Sequence, residues 1–219
     1  MADFILHNYF RSSTSYRVRI ALNIKGLPYE YKAVNLLKGE QLSIGYKDLN
    51  ALGGVPTLIH NDKVIPDSFA IIEYLEELFP SPPLLPKDSY FRARIRHACE
   101  IINSTAHPLG NLKVQLYLEK NHGFNPQDKE AWACHWYAHG LDALETTLKN
   151  FSGTYSFGDT VTMADLFLVP QIVTASRFNL DLSPYPVLNK IFDNCNKLEP
   201  FIKAHPFRQP DTPAELRIS

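Results

Sequence analysis

Apolar and polar positions along the chain change period several times. Phe4-Ile5-Leu6 opens an apolar stretch that predicts a strand over 4–8. From residue 14 the period becomes helical: Val18, Ala21, Leu22 and Lys25 recur at helical spacing and Gly26 supplies a stop, predicting a helix over 14–25. Alternation returns at 29–35 (YEYKAVN), giving a second strand and a β-α-β start. Residues 36–54 are polar and irregular, with room for a short helix. "VPTLIHNDKVI" predicts a hairpin, with strands at 57–60 and 63–65 about Asn61-Asp62. Pro56 is tolerated at a strand's first position, where no ladder N–H is needed. In "DSFAIIEYLEELF", Ile71, Ile72, Leu75 and Leu78 share one helical face behind a cap at Asp67 or Ser68.

The pattern then breaks. "PSPPLLPKD" carries four prolines between 80 and 86, which cannot continue a helix and make a stiff extended connector. The expected organisation is a first domain over 1–80, a Pro-rich linker over 81–87 and a second domain over 88–219. The second domain reads as all helical. A long helical region is expected over 88–119 with a kink at Pro108, and another over 128–149 carrying Trp132 and Trp136. "TVTMADLFLVPQIV" offers a capping box from Thr162 to Asp165, with Val161 and Leu166 as a hydrophobic staple. That helix is apolar nearly all round, so it is expected at the buried centre of its domain. The predicted class is α/β followed by all-α.

Composition narrows the function classes. The 219 residues are 45% hydrophobic and 21% charged with a net charge of −1, and no long basic run points to nucleic acid or an anionic membrane. No apolar run approaches the roughly 20 residues of a membrane-spanning helix. The N-terminus lacks the basic start and long apolar core of a signal peptide. Cys99, Cys134 and Cys195 form an odd, widely spaced set, which reads as reduced thiols in a cytoplasmic protein. Cys134, His135 and His139 lack the three or four ligands of a metal site, and "HWYAH" lacks the glutamate of a zinc-protease helix, so no metal is expected.

The densest chemistry lies in "YFRSSTSYRVRIALNIKG", where Ser12, Ser13, Thr14 and Ser15 precede a helical run between Arg11 and Arg17. Helix capping needs one such hydroxyl. Four beside cations also suit an anion held at a helix N-terminus. On this segment alone both readings stand.

Seven motifs in order resolve the choice by resemblance: "RSSTSYRVRIAL", "VPTL", "DSFAIIEYLEE", "HPLGNLKV", "DTVTMADLFLVPQ", "ASRFNLDLSPYP" and "QPDTPAELR". From about residue 4 to 217 the chain resembles the zeta-class glutathione transferases, the maleylacetoacetate isomerases. The resemblance implies a thioredoxin-like N-terminal domain, a helical C-terminal domain of the glutathione-transferase type, a homodimer and glutathione as cofactor. A thiol ionises near pH 8.5, and only its thiolate is a useful nucleophile. A hydroxyl donor and a helix N-terminus both stabilise that anion. Ser12 is the implied thiolate stabiliser, with Ser13 and Thr14 supporting it. Animal members carry Cys where this chain has Thr14. Cys99, the cysteine nearest in sequence to this loop, belongs to the other expected domain, which argues against a mixed-disulfide mechanism.

The same resemblance implies a wider site. Ser15, Tyr16 and Arg17 join the glutathione set. Val55, before a cis Pro56, would pair its backbone with the peptide part of the cofactor. Ser68 would hold the γ-glutamyl carboxylate and Asp67 would face the ammonium, where animal members have Gln. Gln41 would contact the glycine end. His107, Asn111, Leu112 and Lys113 line the same stretch, with Gln at position 107 in animal members. Arg11, Lys113 and Arg177 would bind a small dicarboxylate substrate, because cationic side chains pair with carboxylates and the guanidinium fork of arginine matches them best. The implied reaction is isomerisation of maleylacetoacetate to fumarylacetoacetate in tyrosine and phenylalanine breakdown. The alternatives are maleylpyruvate isomerisation, conjugation or dehalogenation of small electrophiles, and a non-catalytic interaction module.

Overall fold

The computed structural model describes residues 3–218. Its contacts divide the chain into two compact units, one running to Leu84 and resuming from Lys197, the other Leu85–Asn196.

The first unit is a mixed four-stranded sheet flanked by helices. Strand β1 (Phe4–Asn8) leads into α1 (Ser13–Ile24), which crosses over to β2 (Tyr29–Ala33). Two short 3₁₀ turns and α2 (Ile44–Lys47) fill the irregular stretch before β3 (Thr57–His60), β4 (Lys63–Pro66) and α3 (Ser68–Leu78). The sheet order is β2-β1-β3-β4. β1 is parallel to β2, with Leu6 opposite Tyr31, and antiparallel to β3, with Leu6 opposite Leu58. β1 alternates buried and half-buried, and Leu6 and Leu58 are wholly inside. Burying a leucine contributes about 2 kcal/mol. The expected βαβαββα order is therefore realised. α1 ends as its sequence suggests: Gly26 takes φ 65°, its N–H bonds Asn23 O, and Leu27 N–H reaches back to Leu22 O at 2.9 Å. Lys25 does not share the apolar stripe. Its ammonium is clamped by Glu76, by Phe79 O and by Pro82 O, the last two at 2.7 Å.

The second unit is helical: α4 (Ser89–Glu100), a π-helical turn (Ile101–Ala106), α5 (His107–Leu109), α6 (Leu112–His122), α7 (Pro126–Leu148), α8 (Met163–Arg177) and α9 (Pro186–Cys195). α8 is its buried centre, packed against α4 and α9, with Leu166, Phe167, Leu168 and Val169 wholly inside. The predicted box closes its N-terminus: the Asp165 carboxylate accepts from Thr162 N–H at 2.7 Å and from Ser156 N–H at 2.9 Å. Burial pushes the Asp165 carboxyl above its ordinary value, opposed by those hydrogen bonds.

Two expectations need correction. The helical region over 88–119 does not simply kink at Pro108. It widens into the π turn before that proline and is interrupted at Gly110-Asn111. Gly110 lies where a Cβ would sit 2.3 Å from the Tyr137 ring, so α7 presses on the break. The chain also does not divide at 88 with all that follows in the helical unit. α10 (Glu199–Ala204) and the tail beyond it pack with α1 of the first unit. The reason is specific: Tyr16 donates to Phe201 O at 3.3 Å and the Arg19 Nε to Ala204 O at 3.0 Å. The expected outer bounds include Met1, Ala2 and Ser219, which lie outside the described residues.

Candidate functional site

β1 ends in a turn, Tyr9 to Ser12, that delivers the chain to the N-terminus of α1. Ser12 is the N-cap, and its Oγ accepts from Ser15 N–H at 3.1 Å. The same Oγ lies 2.8 Å from Thr14 Oγ1, and Thr14 donates its own proton to Val55 O, also at 2.8 Å. A hydroxyl has one proton. With the Thr14 proton on Val55, Ser12 is the donor within the pair. The result is a directed chain, Ser12 to Thr14 to Val55, in which the Ser12 proton alone can be turned to an incoming anion without breaking a bond to the main chain. Capping therefore does not exhaust Ser12: its lone pair serves the helix and its proton goes to another side chain.

Val55 precedes a cis Pro56, as expected, and Ser81-Pro82 is a second cis bond. Asp67 caps α3 by accepting from Phe69 N–H at 2.9 Å, and it does so at φ 71°, a region that disfavours side chains. Ser68, 1% exposed, accepts from Arg17 Nη1 at 3.2 Å. Half-buried Gln41 donates to Leu36 O at 3.4 Å, while its buried Oε1 meets no protein donor. Arg11 lines a cavity of about 580 Å³ together with Tyr9, Phe10, Glu40 and Asp211.

Three of the expected site residues have side chains turned into the fold. Ser15, Tyr16 and Arg17 are each 0% exposed. The Ser15 hydroxyl faces Tyr9 N–H, the Tyr16 hydroxyl is spent on Phe201, and Arg17 supports Ser68. An α1 packed on both sides, by α3 and by α10, turns these side chains inward. Their side chains brace the turn. Ser13 is also buried, at 7%.

In the second unit, His107 Nε2 lies 3.3 Å from Asn111 Nδ2, and Asn111 caps α6 by accepting from Lys113 N–H at 3.1 Å. Leu112 opens that helix, and the Lys113 side chain follows it. α7 holds the break in place: Tyr137 donates to Gly110 O at 3.0 Å and Trp132 to Leu109 O at 2.8 Å. Arg177 ends α8, exposed, with its guanidinium 6.0 Å from the Phe178 ring centre. Burial raises the Tyr137 hydroxyl's pKa, and the Arg177 charge acts against that rise. Tyr137 therefore bonds the 107–113 stretch while standing in the field of Arg177. Among the described residues no group of three or more His, Cys, Asp or Glu could hold a metal ion.

Sequence reasoning assigned nothing to Asp211, Tyr31 or Arg19. Asp211 Oδ2 accepts from Phe10 N–H at 3.0 Å and its Oδ1 from the Tyr31 hydroxyl at 2.5 Å. Burial, opposed by the Arg19 charge, keeps Tyr31 protonated. The signal was present in "QPDTPAELR", but only as a motif without a role.

Two domain families match the chain: the glutathione S-transferase N-terminal domain over residues 11–78 and the C-terminal domain over 138–199. A probable maleylacetoacetate isomerase of Caenorhabditis elegans is 49% identical, covering 95% of each chain. The maleylpyruvate isomerase of a Ralstonia species is 45% identical, covering 94% of this chain and 99% of its own. Among solved structures, a maleylacetoacetate isomerase of Anaeromyxobacter dehalogenans superposes with a TM-score of 0.86 at 42% identity, over 97% of this chain and all of its own. That protein holds dicarboxyethyl glutathione and citrate in its active site.

Proposed function

The chain belongs to the zeta-class glutathione transferases, the maleylacetoacetate isomerase family, and from that membership we infer that it is a glutathione-dependent cis–trans isomerase acting on maleylacetoacetate. The observation that carries the reading is the directed hydroxyl chain at the start of α1, with the Ser12 proton available to a sulfur.

Ser12 and the α1 N-terminus hold the cofactor's thiol as thiolate. The thiolate adds to one alkene carbon of the conjugated cis substrate, and the electron pair moves onto the carbonyl oxygen as an enolate. The former double bond is now single and rotates. The enolate collapses, the C–S bond breaks, and the trans alkene leaves with glutathione restored. Dicarboxyethyl glutathione, held by the Anaeromyxobacter protein, is an adduct of this kind: a sulfur carried on a four-carbon dicarboxylic acid. Cationic groups offset the enolate and carboxylate charges. Arg11, Lys113 and Arg177 fill that role in this reading, with Arg177 pairing a substrate carboxylate. Ser13 and Thr14 support Ser12. Val55, Asp67, Ser68 and Gln41 bind the rest of glutathione, with His107, Asn111, Leu112 and Lys113 completing the set. The buried acceptor of Gln41 and the strained backbone of Asp67 support their inclusion. The working form is a homodimer in the cytoplasm, where thiols are kept reduced. Light scattering is expected to give about twice the 24.9 kDa chain mass, and a monomer that turns over would remove the dimer claim.

Maleylpyruvate isomerisation is the second reading, favoured by the 45% identity to the Ralstonia enzyme and by Arg11 and Lys113. Both cis diketo acids, assayed side by side with and without glutathione, test the two. Turnover of either that needs glutathione without consuming it supports the isomerase. Loss of free thiol in step with product would show conjugation instead.

A further inference from the structure

"QPDTPAELR" is a family motif to which the reaction above assigns nothing, although the structure accounts for most of its residues. Gln209 Nε2 donates to Lys203 O and His205 O, Thr212 Oγ1 to Pro206 O, and Arg217 to Thr212 O and Pro210 O. Each of these bonds ties the tail to itself. Asp211 differs, because both of its oxygens reach out of the tail, to Phe10 N–H at 3.0 Å and to the Tyr31 hydroxyl.

Phe10 sits two residues before Ser12, inside the turn closed by Ser12 N–H on Tyr9 O at 3.0 Å. Its carbonyl is held as firmly as its N–H. The buried Arg19 donates Nη2 to Phe10 O at 3.0 Å, and Nη1 to Asn8 Oδ1 at 3.0 Å and Tyr9 O at 3.4 Å. One peptide residue is thus gripped by a carboxylate on its donor side and a guanidinium on its acceptor side. Hydrogen bonds to ionised groups are roughly twice as strong as neutral ones. A tail anchor alone would not need to seize the main chain beside the thiolate donor.

We propose that Asp211 is a positioning residue for the sulfur site: by holding Phe10 N–H against the pull of Arg19 it fixes the turn, and so fixes where the Ser12 hydroxyl stands. The inference rests on the reading of Ser12 as thiolate donor. It assigns Asp211 an effect on cofactor ionisation that is transmitted through Ser12.

The test uses the full chain and glutathione alone, following ionisation of the bound thiol by its ultraviolet thiolate absorbance against pH. kcat and KM on the cis diketo acid are measured beside it. The variants are Asp211→Asn, which keeps the shape and one acceptor, Asp211→Ala, Ser12→Ala, and Ser12→Ala combined with Asp211→Asn. Asp211→Asn is expected to raise the ionisation midpoint by roughly half a unit to one unit, because the hydrogen bond to the charged form is loosened. It should lower kcat about 5- to 10-fold with KM changed by less than about 2-fold, the pattern of a misplaced group that acts in the transition state. Asp211→Ala should exceed both effects. The combined variant should be no slower than Ser12→Ala, since coupled residues are not additive.

A lower melting temperature with unchanged midpoint and kcat in Asp211→Asn would reduce Asp211 to a tail anchor and overturn the proposal. So would full additivity in the combined variant. So would a fall in KM with an unchanged midpoint, which would mean that its charge acts directly on the substrate. A wild-type midpoint in Ser12→Ala would instead overturn the Ser12 reading, and the proposal with it.

Discussion

Thr14 stands where animal relatives carry cysteine, and the structure gives it a use that a thiol fills poorly. Its hydroxyl takes the Ser12 proton and passes its own to Val55 O. A thiol is a weaker donor and a weaker acceptor. Thr14→Val keeps the shape but leaves Ser12 without its acceptor and Val55 O without its donor. That variant should lower kcat/KM about 10-fold, and Thr14→Ser should restore most of it, on the scale of about 1–2 kcal/mol for a broken, partly buried hydrogen bond. Equal activity in all three forms would remove Thr14 from the proposed set. Arg177 poses the matching question for the substrate. A guanidinium pairs both carboxylate oxygens, whereas lysine is a point charge. Arg177→Ala should raise KM at least 10-fold for the dicarboxylate and leave conjugation of a small neutral electrophile nearly unchanged, with Arg177→Lys recovering part of the loss. Equal losses on both substrates would point to a folding defect. The turn that bears Ser12 was legible in the sequence because cap chemistry is local. That Ser15, Tyr16 and Arg17 face inward was not, because it depends on what packs behind α1.

At the scale of elements, the period of the apolar positions identified every strand and located α1, α3 and α8, and the Thr162–Asp165 box fell where its spacing placed it. The region over 88–119 was misread because propensity carries no trace of a partner helix. The break at Gly110 exists where the Tyr137 ring fills the space a side chain would occupy. Tyr137 and Trp132 then hold the carbonyls that the break exposes. Gly110→Ala drives a methyl into a buried ring that is hydrogen-bonded at its tip, so it cannot be absorbed by a small shift. Overpacking of this kind costs about 1–3 kcal/mol. In a chain of this length that corresponds to a fall in Tm of roughly 3–10 °C, with KM for the dicarboxylate rising as the 107–113 stretch is displaced. An unchanged Tm in Gly110→Ala would show that the 109–111 break can move away from α7.

At the scale of the whole chain, the least legible feature is that residues from Lys197 onward return to the first unit. The contacts that bring them back, Tyr16 with Phe201 and Arg19 with Ala204, span 185 residues and have no local signature. This return carries a pH dependence. His205 lies between the Tyr16 and Phe207 rings, and its Nδ1 accepts from Phe207 N–H at 3.2 Å, which requires the unprotonated nitrogen. Burial first, then the charges of Arg208 and Arg19, hold its pKa below the ordinary 6.5. His7, on β1, is shifted the same way by burial and Lys32, with Glu30 opposing. A histidine whose folded pKa is lowered binds its proton more readily in the unfolded chain. Its contribution is therefore fully present above pH 6.5 and is lost as the pH falls from there through the folded value. Denaturant midpoints measured from about pH 8 down to about pH 5 should fall on the acid side, with the loss setting in near the unfolded histidine value. His205→Asn supplies a neutral acceptor for Phe207 N–H and cannot take up a proton in this range, so it should flatten that slope while leaving the stability at about pH 8 within roughly 1 kcal/mol. The tail's grip on Phe10 through Asp211 should loosen over the same acid range in the wild type and not in the variant. Protease cleavage after Lys203 or Arg208, followed at each pH, reads that directly. Identical acid slopes and cleavage rates in the two proteins would mean that His205 does not govern the tail.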